Sequence, residues 1–214
     1  MKLTKYDLAS IGIIVLLFAI SFYMYPGLPD KIPTHWNASG QVDGWSGPTA
    51  IFLIPVMVVL IYGLFLALPK ISVFKENISQ FKHFESMKFA IVLFLTMIYG
   101  ATVLPIYGYD NFNMTKFILP VVALLFIYVG YIIKDVKRNF FIGIRTPWTL
   151  SSDVVWKKTH KVGSKLFMLA GVAMLFSVFL PPNWMIWFIL SLVFTVVGYS
   201  FGYSYWIWKK LGKN

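Results

Sequence analysis

Three histidines, His35, His83 and His160, are the first side chains to weigh for chemistry in a chain of 214 residues that has no cysteine. The absence of cysteine rules out a disulfide framework, iron–sulfur ligation and a thiol nucleophile. His35 is followed by Asp43, and together they offer a metal two ligands, too few for a closed zinc site. No metal or cofactor is expected. There is no Gly-x-Ser-x-Gly, no His-Glu-x-x-His and no phosphate-binding glycine loop. No catalytic residue is therefore assigned, and the chain is not read as an enzyme. Arg145 and the lysines near it suit phosphate or anionic lipid.

Long apolar runs separate these residues. They are about Leu8–Tyr25, Thr49–Leu68, Phe89–Tyr107, Phe117–Ile133, Leu166–Leu180 and Trp184–Trp208. Each is near the roughly 20 residues that a helix needs to cross about 30 Å of hydrocarbon. Backbone amides find no water there, so each run is expected to be helical. The composition agrees: 58% hydrophobic and 13% charged, against about 25% charged in soluble domains. The expected fold is an all-α integral membrane protein with six transmembrane helices, and no separate soluble domain fits. No ionisable residue lies deep in a run, which argues against an ion-coupled pump. The hydroxyls of Ser21, Thr96, Ser177, Ser191 and Thr195 are expected to bond mostly to their own helix carbonyls.

The net charge is +11, and 17 of the 19 Lys and Arg fall in alternate gaps between the runs, leaving only Lys31 and Lys116 in the others. The positive-inside rule then puts both termini, 70–88 and 134–165 in the cytoplasm. Segments 26–48, 108–116 and the 181–183 turn lie outside, so His35 cannot share a site with His83 and His160. Position explains the charge, and no direct nucleic-acid partner is called for; the lipid bilayer is the expected partner. The first run follows Lys2, Lys5 and Asp7 as a signal peptide would. Bulky residues from Phe22 to Pro26 replace a cleavage site, so it reads as a retained span.

The chain falls into three sections: 1–69, a two-span unit with external loop 26–48; 70–133, an interfacial helix with spans three and four; and 134–214, with cytoplasmic segment 134–165 and spans five and six. Loop 26–48 has four prolines, four glycines, Trp36 and Trp45, the composition of a rigid folded loop. In 70–88, Ile71, Phe74, Ile78, Phe81 and Phe84 recur at helical steps, predicting an amphipathic helix at the inner interface. In 134–165 an irregular stretch, 139–150, precedes a helix starting at Ser151 or Ser152. A serine there can cap the helix, and Asp153 suits its dipole. Trp156 and His160 share a face, and Gly163 loosens the entry into span five. Gly198-x-x-x-Gly202 predicts a close-approach face, within the chain or between copies. The oligomeric state is open.

Two segments carry a resemblance. Leu28-Pro-Asp-Lys-Ile-Pro-Thr-His-Trp-Asn-Ala-Ser-Gly-Gln-Val-Asp-Gly-Trp45 resembles the external-loop signature of a bacterial membrane domain of unassigned chemistry. Lys137-Arg-Asn-Phe-Phe-Ile-Gly-Ile-Arg-Thr-Pro-Trp-Thr-Leu150, followed by Val155-Trp-Lys-Lys-Thr-His160, is similar to the signature of the SdpI family. The resemblance implies a membrane immunity protein of the bacterial cell membrane that resists a secreted, membrane-active peptide toxin. It also implies a receptor that captures an ArsR-type winged-helix repressor at the membrane. On this basis Pro33, His35, Trp36, Asn37, Gly40, Asp43 and Trp45 are candidates for toxin binding outside. Asn139, Gly143, Arg145, Thr146, Pro147, Trp148, Trp156 and His160 are candidates for partner binding inside. Two other readings stay open: an inner-leaflet lipid handler using Arg145, Lys157 and His160, and a housekeeping membrane protein with no toxin ligand.

Overall fold

The structure is a computed structural model, and it describes residues 3–109 and 112–212. Lys2, ahead of the first run, and the middle of the 108–116 loop lie outside the described residues. The elements run α1 (Lys5–Met24), β1 (Ile32–Trp36), β2 (Val42–Ser46), α2 (Leu53–Ile71), α3 (Lys75–Ser79), α4 (Phe84–Val103), α5 (Met114–Ile133), α6 (Pro147–Ser151), α7 (Asp153–Phe176) and α8 (Pro182–Lys210). Six helical stretches are long and apolar enough to span a bilayer: Lys5–Gly27, Pro48–Ile71, Phe84–Tyr107, Met114–Ile133, Asp153–Phe179 and Trp184–Lys210. Each contains or overlaps one of the apolar runs.

The chain divides into two compact units, residues 1–65 with 85–121 and residues 66–84 with 122–214. In the first, Leu17, Val58 and Val92 are buried. Ser21, expected to bond within its own helix, instead meets Tyr99 Oη at 2.7 Å and donates to Ile51 O at 3.5 Å, tying α1 to its neighbours. Thr96, Ser177, Ser191 and Thr195 do bond to carbonyls three or four residues back. Pairing each hydroxyl this way avoids the cost of an unpaired polar group in lipid.

Loop 26–48 is folded around an antiparallel β-hairpin that the proline content concealed. Ile32 pairs with Ser46, Pro33 with Trp45, His35 with Gly44 and Trp36 with Val42, with irregularities on either side of His35. Pro33 is tolerated because it sits at such an irregularity. The turn is built on Asn37, whose Oδ1 accepts from the amides of Ser39 (2.9 Å) and Gln41 (3.1 Å). Gly40 takes φ +80° there, a conformation that favours glycine. Asn113 clasps the turn: its Nδ2 donates to Ser39 O at 2.8 Å, while its Oδ1 accepts from the Lys116 amide at 2.9 Å and caps α5.

Segment 70–88 does not form one amphipathic helix. α2 runs through to Ile71, α3 is a short helix, and α4 begins at Phe84. Ile78, Phe81 and Phe84 are buried as expected, but Ile71 is exposed, so the stripe is broken where the chain turns. Ser152 occupies the N-cap position of α7 yet makes no side-chain cap bond. The capping box sits earlier, between Thr146 and Thr149 of α6.

Glycines in the second unit act as contact points, though not where the sequence motif placed them. A Cβ on Gly171 would lie 2.7 Å from Ala123 O, and one on Gly130 would lie 2.8 Å from Ser164 O, so α5 and α7 pack backbone to backbone. Ser164 Oγ donates across that contact to Gly130 O at 2.6 Å. Gly163 lies inside an unbroken α7, where it admits Ile144 Cδ1 and does not loosen the helix. A Cβ on Gly198 or Gly202 would meet no atom of the described residues within 4 Å. The expected close-approach face within the chain is therefore absent among those residues; α8 instead buries Val196, Ser200, Ser204 and Ile207.

Replacing Gly171 by alanine is expected to lower stability by about 1–3 kcal/mol, the usual cost of overpacking, because a carbonyl cannot move aside. Gly198→Ala should be neutral. Thermal unfolding of the two variants in the same detergent checks the contrast.

Candidate functional site

Three groups of polar or ligand-sized features stand out. The first is a recess of about 430 Å³ beside the hairpin in the first unit, walled by Pro33, Trp45, Pro105, Tyr109 and Phe112, with Lys31 among its lining. Of the outer candidates, Pro33, Gly40 and Trp45 line it, and Trp45 is 56% exposed. His35, Trp36, Asn37 and Asp43 do not. His35 Nδ1 and Asp43 Oδ1 pair at 2.5 Å on the exposed hairpin surface. Trp36 is half-buried, and its indole nitrogen has no partner among the described residues. Asn37 is spent on the turn. Tyr109 and Phe112 were not expected from sequence, although they lie in the short loop that shares a predicted side with the hairpin. Among the described residues no group of three or more His, Cys, Asp or Glu is placed to hold a metal.

The second group is the 139–160 segment of the second unit, where most of the signature is packed inward. Asn139 Oδ1 accepts from the Phe141 and Ile142 amides (2.8 and 2.7 Å), and its Nδ2 donates to Lys137 O and Ile142 O (2.9 and 3.0 Å). All of the side chain's bonding capacity is spent on shaping the loop. Gly143 takes φ +125°, and a Cβ there would collide with His160 Nε2. Trp156 stacks on His160 with ring centroids 4.1 Å apart, as their shared face predicts, and its indole N–H donates to Val136 O at 2.7 Å.

His160 is fully buried. The Ile144 amide donates to Nε2 at 2.9 Å, and Nδ1 faces Trp156 O at 2.8 Å. An acceptor at Nε2 and a donor at Nδ1 describe the neutral Nδ1–H tautomer. No nitrogen remains for a lipid phosphate. Thr146 meets Ser204 Oγ at 2.9 Å, and Trp148 packs on Phe201 and Tyr205. Arg145 and Pro147 remain exposed, together with Phe140 and Phe141, which were not among the inner candidates.

The third group is a buried charge cluster in the first unit. Asp7 and Lys88, each with a side chain 2% exposed, pair at 2.8 Å. Asp7 also accepts from Tyr62 Oη at 2.6 Å and from the Thr4 amide at 2.9 Å, and Lys88 meets Glu85 at 2.7 Å. The cluster joins the first turns of α1 and α4 to α2. Sequence alone places Asp7 and Lys88 among the flanking charges of two runs and gives no sign that they meet.

The fold defines a multi-pass protein of the cell membrane. Residues 135–204 match the model of the SdpI/YfhL protein family, and residues 12–59 match a domain of unknown function, DUF1648. The chain is 30% identical over 207 residues to the Immunity protein SdpI of Bacillus subtilis (strain 168), covering 97% of this chain and 98% of that one. It belongs to the SdpI family. No solved structure matches it.

The ion pairs can be tested in two ways. Lys88→Met strands a buried carboxylate and is expected to cost about 3–5 kcal/mol, whereas Asp7→Asn with Lys88→Met should recover much of the loss. Unfolding midpoints of wild type and the two variants test this. Outside the spans, burial would raise the Asp135 carboxyl, but Lys82 at 3.0 Å and His83 at 3.3 Å outweigh burial and hold it below its ordinary value of 3.8. A depressed carboxyl stabilises the fold above its unfolded value and loses that contribution as pH falls through the folded one. The stability difference between wild type and Asp135→Asn should therefore be present at neutral pH and vanish in strong acid.

Proposed function

We propose that this chain is a membrane immunity protein that binds a secreted, membrane-active peptide at the hairpin recess and neutralises it by occupancy, without turnover. The observation that carries this is the relationship to an immunity protein along almost the whole of both chains. The recess supports it: aromatic and proline walls, an exposed tryptophan and a single lysine form an amphipathic cleft suited to a peptide side chain. The distribution of Lys and Arg supports an outward-facing hairpin.

A second role, capture of an ArsR-type winged-helix repressor on the cytoplasmic side, is proposed for the exposed part of the signature. Arg145 and Pro147, beside Phe140 and Phe141, are the residues available to such a partner. The basic character of 134–165 would steer an acidic patch toward them. The buried Asn139, Thr146, Trp156 and His160 would act by holding that surface in shape. A peptide outside changes this surface only if it prefers one conformation of the chain over another. The enclosure of His160 removes one of the three groups that a lipid-handling enzyme would use.

The test is survival of a toxin-sensitive host expressing the chain. Trp45→Ala and Tyr109→Ala should each lower the tolerated toxin dose by about tenfold, the scale of losing one aromatic anchor. His35→Ala should leave protection intact. Arg145→Glu should spare protection while abolishing retention of the winged-helix protein. Unchanged protection by both aromatic variants at equal expression would rule out the recess as the peptide site.

A further inference from the structure

A second recess, of about 470 Å³, lies in the second unit and is lined by Lys134, Lys137, Arg138 and Lys157 with Asp135 and Asp153. Both carboxylates are already engaged. Asp135 holds Lys82 and His83, and Asp153 pairs with Arg138 Nε at 2.9 Å. Arg138 also donates to Leu150 O at 2.9 Å, and Lys137 donates to Gln80 Oε1 at 3.1 Å. In the wall, Asn77 Nδ2 donates to Arg138 O and the Trp156 indole N–H to Val136 O.

Lys134 and Lys157 differ in having no hydrogen-bond acceptor at all among the described residues. The Lys134 ammonium lies 5.0 Å from the centre of the Tyr131 ring, and its bonding hydrogens have no acceptor among the described residues. Lys157 is exposed and likewise without a protein partner there. The recess thus combines four cations with two acids already paired, and two of the four, Lys134 and Lys157, have all their donors unused by the described residues. An anion fits this and a cation does not.

Position narrows the anion. Lys134 follows the last residue of one span, and Lys157 lies in the first turns of the next, the depth at which lipid head groups sit. Tyr131, about half exposed, lies one turn before Lys134 at the end of its span and offers apolar surface toward the acyl chains. We propose that this recess binds the phosphate of an anionic phospholipid, with Lys134 and Lys157 donating to its unesterified oxygens. A free phosphate ion shares the charge but makes no use of the apolar flank. Each lysine at a membrane surface contributes enough to change affinity about fivefold, so losing both should cost about 25-fold.

The experiment uses the whole chain in a neutral detergent, with short-chain phosphatidylglycerol, phosphatidylcholine of the same chain length, and inorganic phosphate as probes. Phosphatidylglycerol is expected to raise the unfolding midpoint and to be retained in native mass spectra in preference to phosphatidylcholine. The double variant Lys134→Gln with Lys157→Gln, at two exposed positions, should lose that preference. Lys209→Gln with Lys210→Gln, which removes equal charge at the end of α8, should keep it.

Equal loss in both double variants would reduce the effect to diffuse charge and overturn the site. Displacement of the lipid by millimolar inorganic phosphate would assign the recess to a free anion and overturn the lipid. If the lysine variant fails to fold, native spectra of the unaltered protein decide the matter, because absence of any preference for phosphatidylglycerol there is sufficient to reject the proposal.

Discussion

Hydrocarbon offers no partner to a hydrogen-bonding group, so a donor or acceptor at membrane depth is costly unless it is matched within the chain. Most of the architecture can be traced to that requirement. The backbone meets it by forming helices. Ser21, Ser164 and Tyr99 meet it by bonding between helices, which turns a polar liability into a specific contact. Asp7 and Lys88 meet it by pairing, with Tyr62, Thr4 and Glu85 taking up remaining bonds. Such a cluster contributes little net stability relative to apolar packing, but removing one member is costly, so it fixes which helices lie together.

The spans were legible because their signal is a sum over about 20 residues, and no single side chain can overturn it. The stacking of Trp156 on His160 was legible for a similar reason, since a four-residue step on a helix fixes direction. What was hidden depends on residues distant in sequence. Asp7 and Lys88 are 81 positions apart, and each alone looks like an ordinary flanking charge. The hairpin was hidden by Pro33, whose effect on a strand depends on whether it falls at an irregularity. As a sign of a contact within the chain, the glycine motif in α8 misled, because spacing shows that two backbones can approach, not that a second helix of the same chain is present. Gly130 and Gly171, with no motif between them, make the close contact.

The two signature segments differ in how their residues are used. In the hairpin, Asn37 and Gly40 make the turn and leave Pro33 and Trp45 facing a cleft. In the 139–160 segment, Asn139, Gly143, Trp156 and His160 consume one another's bonding capacity and leave Arg145 and Pro147 outside. In both, a few residues hold the backbone and leave others free of bonds within the chain. A motif recognised in sequence mixes these two kinds, and the hydrogen bonds and packing of each side chain are what separate them.

Asn113 has a double duty whose effect reaches beyond the turn it clasps. One half of its amide grips the tip of the hairpin, and the other half closes the open end of α5. Because one side chain supplies both bonds, the ribbon and the first coil of a membrane-crossing rod share a single anchor, and replacing that residue would unfasten the two together.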